Sequence, residues 1–160
     1  MIEVKALNRI EIKLKSLQQL SRDTEPLMYT LGNILKNEIE YSFELQSDPF
    51  GNRWAALKPA TVTEKVKKGK SDRILRRDGN LADKWLPQVS KNEVVVSNNS
   101  TKKGFAYGLV HQFGSDRAGR GKSALIPARP FLPVDKSGNL PKRTRQSLKE
   151  AVIKFILLPG

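Results

Sequence analysis

The chain has 160 residues, a length that fits one domain and lets roughly two thirds of the unfolded surface be buried on folding. Its 38% apolar and 28% charged residues lie inside the globular range, which argues against global disorder, and its lack of cysteine excludes disulfides, thiolate zinc sites and thiol nucleophiles. Charge is the one extreme: 29 Lys and Arg against 16 Asp and Glu leave a formal +13, which favours polyanions or an acidic protein partner, although scattered basic residues also make an ordinary solvated face.

In chain order, the alternation of Ile2, Glu3, Val4 and Lys5 predicts a short strand. Leu7, Ile10, Leu14 and Leu17 then fall at helical spacing, with Asn8 and Glu11 as a capping box. A better-marked helix begins around Thr24, Glu25 and Pro26 and carries Leu27, Leu31, Ile34, Leu35, Ile39 and Phe43 on one stripe. These two helices are expected to pack as a hairpin. Asp48, Pro49, Phe50 and Gly51 follow, with Asp, Pro and Gly where a type I turn wants them. Thr61 with Glu64 predicts the cap of a short helix through Val62 and Val66, and a mobile basic stretch is expected behind it.

Leu81, Trp85 and Val89, the polar break at Lys91, Asn92 and Glu93, and the run Val94, Val95 and Val96 predict a β-hairpin, with Pro87 placing its first strand at an edge. Ala106 to Phe113 reads as one or two helical turns ended by Gly114, and residues 115–123 as a flexible Gly-rich basic loop. Pro127, Pro130 and Pro133 exclude a regular helix from Ile126 to Val134 and predict an extended segment pinned by its apolar side chains. After Pro141, Leu148, Val152, Phe155 and Ile156 predict a C-terminal amphipathic helix. The whole reads as a single α+β domain over residues 1–160: an N-terminal helical hairpin and a C-terminal helix packed around a small antiparallel sheet, with flexible basic loops near 67–73 and 115–123.

The residues carry no evident catalytic constellation. His111 is the one histidine, and its apolar neighbours Val110 and Phe113 favour a structural role over a general base. Without Cys, a His pair or carboxylates at ligand spacing, neither a metal nor another cofactor is expected. Asp72, Asp78 and Asp83 invite comparison with a magnesium-dependent nuclease, but set among Arg73, Arg76, Arg77 and Lys84 they read more simply as surface ion-pair partners. Residues 119–123 lack the strand and spacing of a phosphate loop. The dense cations Lys65, Lys67, Lys68, Lys70, Arg73, Arg76 and Arg77 are candidates for contact with a polyanion or an acidic protein, yet they lack interleaved aromatics for base stacking. No apolar stretch approaches the roughly 20 residues of a membrane span, and the first residues lack a signal peptide's apolar core, so neither insertion nor export by that route is expected.

Four segments concentrate turn residues, aromatics and Arg outside the long helices. They are Asp48 to Trp54 with Leu57 to Pro59, Ile74 to Leu81, Tyr107 to Gly114, and Ile126 to Pro133. In this order they resemble the phage virion morphogenesis family, the tail-completion proteins of contractile-tailed, Mu-like phages. The resemblance runs from the strand near Ile2 through the C-terminal helix. Tyr107 is followed by Gly108 where the family commonly has Ala, and Asp78 stands where it often has Thr before glycine.

The resemblance implies a structural α+β protein acting in tail completion and head-to-tail joining, found in the tail or neck of the virion and in the host cytoplasm during assembly. It implies a homo-oligomeric ring, commonly sixfold, with other neck, tail-tube or head-connector proteins as partners and transient DNA contact in passage. It transfers no catalytic residue. Phe50, Arg53 and Trp54, on a loop braced by Pro49 and Pro59, are candidate protein-interface residues, since aromatics and Arg are enriched where proteins meet. Arg129 and Phe131 are candidates too, presented at low entropy cost between prolines. The competing readings are that Trp54 folds back over the helices, that Phe131 packs into the core, and that Arg129 fixes its segment to a neighbouring backbone or carboxylate.

Overall fold

The computed structural model describes residues 23–119, 121 and 123–157. The strand expected near Ile2, the helix through Leu7 to Leu17 and the helical hairpin it would complete lie outside the described residues. Helix α1 spans Glu25–Leu45, with Pro26 in the first turn, where its missing N–H leaves no bond unmade. The Thr24 hydroxyl does not cap the helix but donates to the Lys91 carbonyl of a distant turn. At the other end Gln46 turns left-handed at φ 53° and donates its N–H to Ser42 O, closing the helix.

Helix α2, Pro59–Lys67, begins two residues before the Thr61 cap expected from the sequence. Lys58 is extended and Pro59 takes the first helical position, so Thr61 lies inside the first turn and donates its N–H to Lys58 O. Short α3, Asn80–Asp83, leads into β1, Leu86–Val89, which pairs antiparallel with β2, Val94–Ser97, in the register Leu86 to Ser97 and Val89 to Val94. Helix α4 is Tyr107–Phe113, and α5 is Lys142–Leu157.

The antiparallel pairing is divided between two separate hairpins, because residues 115–123 are not loop throughout. Ser115–Ala118 forms β3 and pairs with β4, Ala124–Ile126, through an irregular register. The basic stretch 67–73 is hydrogen-bonded to its surroundings at both ends. Lys70 N–H bonds Lys65 O, the Arg73 guanidinium donates to Glu44 O, and the next residue, Ile74, gives its N–H to the Gln46 side chain.

Helix α1 is the spine against which the β1–β2 hairpin and α5 pack. One face receives the β1–β2 hairpin at Gly32, where a Cβ would stand 2.7 Å from Val94 Cγ2 and 3.0 Å from Pro87 Cβ, so only glycine permits the approach. Further along, Glu38 accepts from the Arg143 guanidinium at 2.7 Å and the buried Thr144 hydroxyl at 3.1 Å, latching α5. The C-terminal half contributes Ile39 and Phe43 to a core completed by Trp54, Leu81, Ala82, Trp85 and Phe131. Phe43 is fully buried, edge-on to Trp54 at 5.4 Å and tilted against Phe131 at 5.3 Å; Trp85 meets Phe131 at 5.7 Å. Aromatic pairs at such spacings add about 0.5–1.5 kcal/mol each beyond their area burial.

Candidate functional site

The proline-rich segment after β4 contains no helix, as its three prolines demand, and α4 accepts three of its backbone N–H groups. Arg129 N–H bonds His111 O at 2.7 Å, and the buried Gln112 Oε1 accepts from both Phe131 N–H, 3.0 Å, and Leu132 N–H, 3.1 Å. Gly114 ends α4 at φ 75°, and a Cβ there would meet Ala128 N at 2.9 Å and Ile126 O at 3.0 Å. The Tyr107–Gly114 motif is therefore a clasp for the Ile126–Pro133 motif, and it points Phe131 into the core.

This clasp corrects the placement of several candidate interface residues. Phe131 is buried among Phe43 and Trp85. Arg129 is buried as well and donates to Ala55 O at 2.9 Å and Ala56 O at 3.3 Å, fixing its segment to the backbone before α2. Trp54 folds inward, its Nε1–H donating to Pro130 O at 2.8 Å. An indole that has found a carbonyl for its N–H gains more from the core than from water. None of the three is presented on the surface of the folded chain. Phe50 is different: 46% exposed at the tip of the turn, it is held there by Asp48, whose Oδ1 accepts from Phe50 N–H and Asn52 N–H. Arg53, beside it, is also exposed.

Among the seven candidate cations, Lys65 requires the same correction. It is only 6% exposed, and its Nζ donates to Arg73 O and Arg76 O, so its charge stitches α2 to the following segment instead of facing a partner. Burial pushes its pKa down, Asp72 opposes that, and Arg77 adds to it. The others are largely engaged with neighbours. Lys68 pairs with Glu64, Lys70 with Asp78 at 2.6 Å, Arg76 with Asp83 at 2.5 Å, and Arg77 lies 3.8 Å from Glu64. Hydrogen bonding from Lys68 and from Lys70 holds the Glu64 and Asp78 carboxyls, respectively, below their ordinary range. Lys67 is exposed. Asp78 and Asp83 thus serve as ion-pair partners, and among the described residues no acidic or imidazole groups converge as a metal site would need.

A cleft of about 570 Å³ opens between α2, the 75–81 segment and α4. Leu57, Leu75, Leu81 and Tyr107 give it an apolar lining, and five cations, Lys65, Arg76, Arg77, Lys102 and Arg129, outnumber two carboxylates, Glu64 and Asp78. His111 also lines it, and burial together with the Arg129 charge lowers the imidazole pKa. Because the folded-state value lies below the ordinary 6.5, the unfolded chain takes up the proton first as pH falls. The stability contributed by neutral His111 is therefore complete above that value and lost progressively below it. Urea midpoints at pH 7.5 and 5.5 should show a smaller drop for His111→Asn than for the wild type; equal drops would contradict this.

A second surface feature lies on and just before α4. Leu109 and Phe113, four residues apart on α4, are 59% and 64% exposed, and Phe105, four residues earlier, is exposed as well. Their regular spacing was the available signal. Lys102 and Lys103 lie just before them and Arg117 just after, all exposed. Exposed apolar side chains near exposed cations are a composition found where proteins meet.

The sequence pattern of the phage virion morphogenesis family matches residues 5–153, and the chain belongs to that family. It is 31% identical over 134 residues to Mu-like prophage FluMu G protein 2 of Haemophilus influenzae, covering 82% of this chain and 83% of that protein. It is 25% identical over 134 residues to the "Putative capsid assembly protein G" of Escherichia phage Mu, covering 82% of each. FluMu G protein 1 of the same Haemophilus influenzae is 27% identical over 131 residues, with 81% of this chain and 80% of that protein covered. No solved structure matches. Among the described residues no helix is long and apolar enough to cross a membrane.

Proposed function

We propose that this chain is a structural subunit of a tailed phage or prophage particle that acts, without catalysis, in tail completion and head-to-tail joining. Its place is the neck or head-proximal tail end, where it forms a homo-oligomeric ring, sixfold by family resemblance, against neck, tail-tube or head-connector proteins. The observation that carries this reading is the family match over residues 5–153. The exposed Phe50 and Arg53 at one turn, and the exposed Phe105, Leu109 and Phe113, supply contact surface of the composition that such assembly uses. Light scattering on the purified chain together with mass spectrometry of purified particles tests it. A ring-sized mass, in solution or on the tail, and the chain present in particles are expected; a monomer absent from particles would overturn the proposal.

A basic nucleic-acid-binding module is the second reading, favoured by the formal +13. The local ion pairs of Lys68, Lys70 and Arg76 weaken it, because each must be broken or shared before a phosphate is neutralised. Duplex DNA affinity that falls steeply with salt would support this reading, and affinity indifferent to salt would remove it.

A further inference from the structure

We propose that the cleft between α2, the 75–81 segment and α4 is a docking site for a short acidic segment of a partner protein, one that carries an aliphatic or aromatic side chain between its carboxylates. The lining supplies both halves of that recognition. Leu57, Leu75 and Tyr107 accept the apolar side chain, exposed Lys102 faces the acids, and exposed Arg77 exchanges its long contacts to Glu64, 3.8 Å, and Asp78, 3.9 Å, for them. A volume near 570 Å³ suits a few residues of extended chain and is too large for a lone small anion.

Two further observations fall on the lining of the cleft. Leu75 is held at φ 56°, a left-handed conformation that a leucine adopts only when its surroundings compel it, and such strain gathers at ligand clamps. Arg76 Nε and His111 Nδ1, both of cleft-lining residues, are the buried side-chain polar atoms that lack a partner among the described residues. Buried polar atoms without a partner cost free energy, and a ligand seated in the cleft could supply the missing partners. Nucleic acid suits the cleft less well. Glu64 and Asp78 line it and would repel a continuous run of phosphates, while discrete carboxylates can be spaced to avoid them.

The site deepens the assembly reading and rests on it for the partner being a protein. The probe is a fluorescein-labelled peptide of alternating glutamate and leucine, titrated into the full-length chain by anisotropy, with amide chemical shifts recorded in parallel. Saturable binding is expected, weakened by salt, with shifts at Leu75, Tyr107 and His111. Arg77→Ala with Lys102→Ala should weaken it several-fold. Leu57→Asp should abolish it, with circular dichroism confirming that each variant is folded. The wild-type shift map decides the matter even if a variant fails to fold. No binding, binding with shifts elsewhere, or equal binding of an alternating lysine and leucine peptide would overturn the proposal, as would an oligothymidylate that displaces the peptide from these residues. Loss of peptide binding in a chain that still enters particles would refute the cleft alone; peptide binding by a chain absent from particles would refute the assembly role alone.

Discussion

Phe43→Ala is expected to lower stability by about 3–5 kcal/mol, the range for removing a buried aromatic ring together with the cavity it leaves. Phe43 is fully buried and is the ring on which three parts of the chain meet: α1, which carries it, the turn that delivers Trp54, and the proline-rich segment that delivers Phe131. Neither neighbour is free to move in, since Trp54 Nε1–H is bonded to Pro130 O and the Phe131 backbone is bonded to Gln112. Domains of this kind have about 5–15 kcal/mol in hand, so the variant loses a large share of its stability. The urea midpoint should fall with an unchanged slope, followed by the fluorescence of Trp54 and Trp85. Exposed Phe50→Ala should stay within about 0.5 kcal/mol of wild type. A loss below about 1 kcal/mol for Phe43→Ala would show that the core is not organised around this ring.

Gln112→Leu is expected to cost nearly as much by a different route. One carbonyl oxygen, Gln112 Oε1, satisfies the backbone N–H groups of Phe131 and Leu132, and leucine of similar size leaves both donors without a partner. Each such donor costs about 1–3 kcal/mol when it remains buried, which sets the total at about 2–6 kcal/mol. Hydrogen exchange reads the effect where it occurs. The amides of Phe131 and Leu132 should lose protection far more than those of α1, because the clasp opens before the spine does. Retained protection at these two amides would contradict this account of how α4 holds the extended segment.

What could be read from the sequence depended on whether local chemistry or tertiary contact decided the outcome. The stripes of α1 and α5, the Val94–Val96 hairpin, the helical turns ended by Gly114 and the extended proline segment carry their own signals. Strand β3 carries none: Ser115, Asp116, Arg117 and Ala118 include no β-branched or aromatic residue, and the strand exists because β4 lies alongside. Thr61 and Glu64 had the spacing of a capping box, but Pro59, already fixed at a helical φ, began the helix first.

The surface was harder to read than the fold, since exposure is settled by packing. Phe50 and Trp54 sit in one loop: the turn tip marks Phe50 for exposure, whereas the burial of Trp54 is settled by a distant partner, the Pro130 carbonyl that its N–H reaches. Lys65 lies in a run of cations and looks like its neighbours, yet its aliphatic stem is covered and its ammonium is spent on two carbonyls. The cleft was invisible because its lining residues are distributed from Leu57 to Arg129 and converge only in three dimensions.

Deleting the coding sequence from an inducible phage or prophage, and imaging the particles released with and without complementation in trans, tests the assembly role most directly. The expected result is heads and tails that accumulate separately or as incomplete particles, restored to whole virions by the wild-type chain. Normal yields of complete, infectious particles from the deletion would contradict the proposal.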